Sequence, residues 1–263
     1  MKKLQLLLLG AITSANVCAQ KLPDKQEISV KIPANLKVDG KATEWNNQFQ
    51  ANNYNTDLLY TMANNDEELY LVIKAVDGDV INRIVDGGIT LTIKNTKSVN
   101  DNISITYPYT NSKSTLSFPL KVTYSKDWAR PVDTVIMEYN KRLRDNHKFI
   151  KVAGVKAVDT LISVYNEKGI QAGELLDEKK AYTLEMAIKL NLLGLSAKDA
   201  SKISYQLKIN GIRHWEPITK AVSSDGGQLS PEVIAQALAE ANAKFAARYA
   251  IETDFWGEYT LAK

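Results

Sequence analysis

The 263-residue chain has one cysteine, Cys18, and it falls where a leader peptide would be cut. Lys2 and Lys3 make a basic start, Leu4 to Ile12 an apolar run and Val17-Cys18-Ala19 a small-residue cleavage site, so residues 1–19 read as a signal peptide. Ala15-Asn16-Val17 lacks the leucine that a lipobox carries three positions before the cysteine, so no lipid anchor at Cys18 is expected. The mature chain from Gln20 then has no disulfide and no thiol chemistry, and core burial alone must hold it. Long apolar runs are missing as well: a bilayer span needs ~20 residues, and neither the leader nor any later stretch supplies them. An exported protein, periplasmic or extracellular and without a membrane span, is the expectation.

Excess charge is also absent. The 33 basic residues less Lys2 and Lys3 leave 31, against 30 acidic. A balance this close gives no electrostatic footprint for nucleic acid. Catalytic signatures are wanting too: there is no G-x-S-x-G, no H-E-x-x-H and no glycine-rich phosphate loop. The two histidines, His147 and His214, lie far apart, which removes the usual zinc spacings. Acids are plentiful enough for a glycosidase-type carboxylate pair, yet Glu185 sits in a strand pattern rather than a pocket-like loop, and no enzyme is expected.

What the chain does have is alternation. Twelve Tyr, four Trp and five Phe fall largely on short segments of period two, the pattern of half-buried strands. Gln26 to Ile32 reads as a first strand between prolines. The runs around Tyr60 and from Glu68 to Val76 form a hairpin about Asn64-Asn65-Asp66-Glu67, because Asn and Asp side chains bond their own backbone and tolerate left-handed conformations. The second arm is apolar on both faces, which predicts a strand covered on both sides. One short helical turn is expected at Val80 to Val85, then strands at Ile89–Ile93, Ile103–Tyr107, Phe149–Val155, Leu161–Tyr165, Ala181–Leu190 and Lys202–Ile209. Between Thr110 and Asn146 the pattern weakens, with Val132 to Leu143 either a helix or an irregular excursion. Ser230-Pro231-Glu232 starts a helix whose Ile234, Leu238, Ala241, Phe245 and Tyr249 share one face, expected to cover the sandwich. The chain closes on a strand at 253–261.

At least nine strands, one firm helix and no strand–helix rhythm predict an all-β fold. It is an antiparallel β-sandwich of jelly-roll type, a single domain over 20–263, with one C-terminal amphipathic helix before the last strand.

The order of segments carries a resemblance. Val38-Asp39-Gly40-Lys41-Ala42-Thr43-Glu44-Trp45 resembles the opening "DGxxxEW" of family 9 carbohydrate-binding modules, and Glu68 to Asp77 is similar to their "LYvavxvxD" strand. Tyr182 to Ile188 followed by Leu192-Leu193-Gly194-Leu195 resembles a third element, and Trp256 to Leu261 the closing strand. Ile188-Lys189-Leu190 stands where the family has "IPW". The resemblance implies a DOMON-like sandwich that binds sugar, with bound calcium.

A sugar platform needs a flat, partly exposed ring beside hydroxyl-bonding groups. Trp128 with Asp127, and Trp215 with Arg213, sit in loops of that composition and are the ligand-binding candidates. Trp45 and Trp256, inside the framework motifs, are expected to be core. Asp77 and Asp79, flanking Gly78 at a strand end, are the candidate calcium ligands, since calcium takes loop oxygens. Carbohydrate is the expected partner. The competing expectation is an envelope protein without a sugar site that uses the 231–249 helix to hold a protein partner.

Overall fold

The computed structural model describes residues 21–94, 102–110, 132–156, 158–199, 202–213, 219 and 230–263. Eleven strands are found among them: β1 (Ala51–Asn53), β2 (Leu58–Asn64), β3 (Glu68–Ala75), β4 (Ile89–Ile93), β5 (Ile103–Tyr109), β6 (Phe149–Ala153), β7 (Leu161–Ser163), β8 (Ile170–Leu176), β9 (Tyr182–Lys189), β10 (Lys202–Ile209) and β11 (Thr253–Thr260). They form a five-stranded sheet, β1-β2-β3-β9-β8, and a six-stranded sheet, β11-β10-β4-β5-β6-β7. Neighbouring strands pair antiparallel throughout. The expected antiparallel β-sandwich is the fold.

The inner faces meet in one apolar core. Met62, Leu71, Ile73, Leu184 and Met186 from the first sheet pack with Leu91, Ile105, Val152 and Leu207 from the second. Tyr60 and Tyr205 reach across the gap and join hydroxyls at 3.0 Å, so two phenols bury their rings without leaving a polar atom unpaired.

The five-stranded sheet is covered on its other face too. A second cluster sets Trp45 and Phe49 against Tyr70, Val72 and Ala187, with Leu22, Val30, Ile32, Leu36 and Val38 packed around them. The segment before β1 therefore lies over this sheet, which explains why β3 is apolar on both sides. Its clasp is Glu185 on β9, wholly buried. One carboxylate oxygen accepts from the backbone N–H of Asp39 at 2.8 Å and of Gly40 at 2.7 Å, and the other accepts from the Tyr70 hydroxyl at 2.5 Å. Trp45 Nε1 donates to the same hydroxyl at 3.3 Å, with its ring stacked on Tyr70. Gly40 has φ +81°, and a Cβ there would stand 2.3 Å from the Glu174 carbonyl carbon, so only glycine fits the turn that presents its N–H to Glu185.

Several expectations are corrected. Gln26 to Ile32 is not a strand but makes a single bridge, Lys31 to Asn64. The Gln26 side chain takes Met62 N–H at 2.7 Å and Met62 C=O at 2.8 Å, filling the place a backbone neighbour would take. The helical turn at Val80 is a full helix, α1 (Gly78–Gly87), because Asp77 Oδ1 caps it and Val80, Ile81, Ile84 and Val85 recur at helical spacing into the core. Val132 to Leu143 lies in α2 (Val132–Asn146), whose Asn140 bonds both N–H and C=O of Leu176 at 2.8 Å and so closes the edge of β8. β8 itself escaped the alternation, its middle being half-exposed. The last helix, α3 (Pro231–Tyr249), begins at Ser230 as expected but does not cover the sandwich. It buries no residue, and its C-terminal end docks on α1, where Arg248 and Tyr249 both bond Asp79.

Burial pushes the Glu185 carboxyl up to about 7, against the opposing pull of Tyr70, Gly40 and Asp39. A carboxyl raised on folding stabilises in full below its unfolded pKa, near 4.5, and that contribution is lost as pH rises through about 7. The linked stability is on the order of 3 kcal/mol. Urea melts should show stability falling between pH 5 and 8, and Glu185→Gln should flatten that dependence. Gly40→Ala should cost at least about 2 kcal/mol in the same melts, from left-handed strain plus the clash.

Candidate functional site

With the first sheet covered, the outer face of the six-stranded sheet is the broad surface left to solvent among the described residues. Register decides what it presents, since residues paired across strands share a face. Trp256 pairs with Gln206, Gln206 with Thr92 and Thr92 with Ser104. The next outward row runs Asp254, Lys208, Thr90, Thr106, Lys151. Apart from Trp256 these side chains are hydroxyls, an amide and charges.

Trp256 is held outward by its two neighbours. Phe255 turns inward, its ring 5.1 Å from Tyr60 and 6.3 Å from Tyr205. Gly257 also faces in, and a Cβ there would meet the Tyr205 ring at 2.4 Å, so the tyrosine occupies the space a side chain would take. Between these anchors the indole is 36 % exposed. Lys94 Nζ stands 4.7 Å over its ring, a cation–π contact.

Around the ring the polar groups are mutually bonded and fixed. Gln206 Nε2 donates to Asp254 Oδ2 at 2.7 Å, Thr92 and Ser104 share a bond at 3.1 Å, and Thr90 and Thr106 one at 2.8 Å. Lys202 pairs with Glu258, while Lys208 and Arg213 share Glu252. Alongside runs a groove of about 700 Å³ between Lys25–Ser29 and the Trp256–Thr260 stretch, floored by Ser204. In it the Trp256 ring stands among the hydroxyls of Ser29 and Ser204 and the charged Lys202 and Glu258.

Trp128, Asp127 and Trp215 lie outside the described residues. Arg213 is exposed, its guanidinium 2.6 Å from Glu252 at the border of this same face. Asp77 and Asp79 sit together at the start of α1 but are already engaged. Asp77 Oδ1 accepts from Asp79 N–H and Val80 N–H at 2.9 and 3.0 Å, and Asp79 bonds Arg248 and Tyr249. Calcium wants six to eight oxygens, and an arginine on one of two acids does not fit that. Among the described residues, no group of three His, Cys, Asp or Glu side chains forms a metal-holding set. Trp45 is buried as expected, whereas Trp256 is not, which corrects its assignment to the core. Parity alone distinguishes it: Trp256 is in phase with Asp254, Glu258 and Thr260 and out of phase with Phe255 and Tyr259.

A buried polar cluster lies inside, beside α2. Glu174 accepts from Tyr107 at 3.1 Å and from Tyr182, and stands 2.5 Å from His147 Nδ1. Burial first, and the Glu174 carboxylate after it, raise both phenols well above their ordinary value, so they remain donors. The His147 and Glu174 side chains are 0 % and 3 % exposed, and the cluster joins β5, β8 and β9.

No protein-family model and no curated protein sequence matches the chain. Among solved structures it is similar to a family 9 carbohydrate-binding module from Caldicellulosiruptor kristjanssonii in complex with glucose, at 9 % identity and TM-score 0.39 over 89 % of this chain and 95 % of that one. It is also similar to a candidate carbohydrate-binding protein from Bacteroides uniformis, at 11 % identity and TM-score 0.36 over 72 % of this chain and 85 % of that one. No helix among the described residues is long and apolar enough to cross a membrane.

Because Asp79 is bound to Arg248, Asp79→Asn should leave the difference between the melting midpoints in EDTA and in millimolar calcium unchanged.

Proposed function

We propose that this protein is an exported, non-catalytic carbohydrate-binding domain whose ligand lies on the outer face of the six-stranded sheet. The observation that carries the reading is Trp256, an exposed indole fixed by buried neighbours and set among oriented hydroxyl and amide side chains. Sugar rings combine apolar C–H faces with a rim of hydroxyls. A rigid indole beside Gln206 and Ser204 matches both features, and the rigidity lowers the entropy cost of binding. Export rests on the leader-like residues 1–19. Trp128 with Asp127, and Trp215 with Arg213, remain loop candidates for further sugar contacts.

The test is a glycan array probed with the mature wild-type protein and with Trp256→Ala. Wild type should bind at least one glycan class, and the variant should bind it at least about tenfold more weakly, the loss expected for a central aromatic anchor. Its melting midpoint should be close to wild type, the indole being on the surface. Equal glycan binding by the two proteins, or none by wild type, would overturn the reading.

A further inference from the structure

The same outer face holds a second aromatic station. On β6 the side chains of Phe149, Lys151 and Ala153 point outward, and Phe149 is 44 % exposed. Phe149 pairs with Tyr109 across a bulge in β5, which brings both rings to the outer face beyond Thr106. Lys151 Nζ stands 5.2 Å over the Tyr109 ring, as Lys94 stands over Trp256. From β11 to β6 are four strand steps of ~4.8 Å, and with the offset along the strands the two stations are on the order of 20 Å apart. That exceeds the length of any single sugar ring. The floor between them is polar: Gln206, then the Thr90–Thr106 hydroxyl pair, to which Asn210 Nδ2 donates at 3.0 Å.

Lys202 and Lys208 are matched by Glu258 and Glu252, and Asp254 by the Gln206 amide. Lys94 and Lys151 rest on the aromatic rings. Among the described residues neither lysine is ion-paired there, so charge alone does not restrict the ligand to uncharged sugars.

We infer that the ligand is a linear glycan held by an interior segment of several units, lying diagonally across the sheet from Trp256 to the Phe149–Tyr109 station. The inference rests on the proposed sugar-binding reading and adds two requirements: length and indifference to chain ends. Both lysines are flexible and yield their ring faces to the incoming chain.

The experiment is titration calorimetry with cello-, xylo-, manno- and laminari-oligosaccharides from one to six units, each native and with its reducing end converted to the alditol by borohydride. Wild type, Trp256→Ala, Phe149→Ala and Phe149→Gln are compared, their melting midpoints serving as folding controls. For the series that binds, affinity should climb with length and then level off, and end reduction should leave the hexamer unchanged. Both Phe149 variants should weaken the hexamer about tenfold while leaving shorter members untouched. Length-independent affinity, loss on end reduction, or full hexamer affinity in both Phe149 variants overturns the inference while sugar binding stands. Absence of binding in every series, or affinity indifferent to Trp256→Ala, overturns the sugar-binding reading and the inference with it.

Discussion

The structure depends on the burial of a single carboxylate. Glu185 lies in the middle of the five-stranded sheet on the side away from the main core, where an unpaired charge would be costly. Three donors meet it, two of them backbone amides of the turn at Asp39-Gly40. The turn is thereby fastened to the sheet, and with it the chain from Leu22 to Phe49, whose apolar side chains form the second core. Each feature requires the other: the buried carboxyl is tolerated because the turn gives it two N–H donors, and the turn holds its left-handed glycine because those donors find an acceptor.

An asymmetry follows. One sheet is packed on both faces, while the other packs on one and presents the other to water. Tyr60 and Tyr205 connect the two across the core, and Tyr205 also fills the place of a side chain at Gly257. The contact that joins the sheets therefore sets the local course of β11 and turns Trp256 outward. Position, rigidity and exposure of the indole descend from packing on the opposite side of its own strand. The helices take no part in this surface. α1 plugs an end of the core, α2 closes the edge of β8, and α3 is tied to α1 through Asp79.

Much of the architecture was legible because strands advertise themselves by period two. The hairpin of β2 and β3, the clean alternation of β9 and β10 and the closing strand all lie where the pattern places them. So does the framework role of Asp39-Gly40 and Trp45. The less legible parts have specific causes. Gln26 to Ile32 alternates, yet the Gln26 side chain does the bonding that its backbone was expected to do. β8 is an edge strand with a half-exposed middle, so it has little apolar contrast to display. α1 looked like a single turn because its cap, Asp77, is also the residue that ends β3, and a sequence does not show one residue serving two elements. The spacing of the same residue and Asp79 suits a cation site, and the partner that engages Asp79, Arg248, is 169 positions away in the chain.

The amino-acid sequence by itself determined the class of fold, the place of most of its strands, the lack of a second cysteine for an internal disulfide and the two side-chain phases of the strands it revealed. It did not determine what each phase meets. Glu185 lies in a phase with Thr183 and Lys189 that reads as solvent-facing, and it is wholly buried. Trp256 reads as core and stands in water. The physical reason is common to both. Alternation is a local property of the backbone, whereas burial of an outer face depends on whether a distant segment comes to lie on it. That is settled by contacts such as Gly40 to Glu185, 145 residues apart.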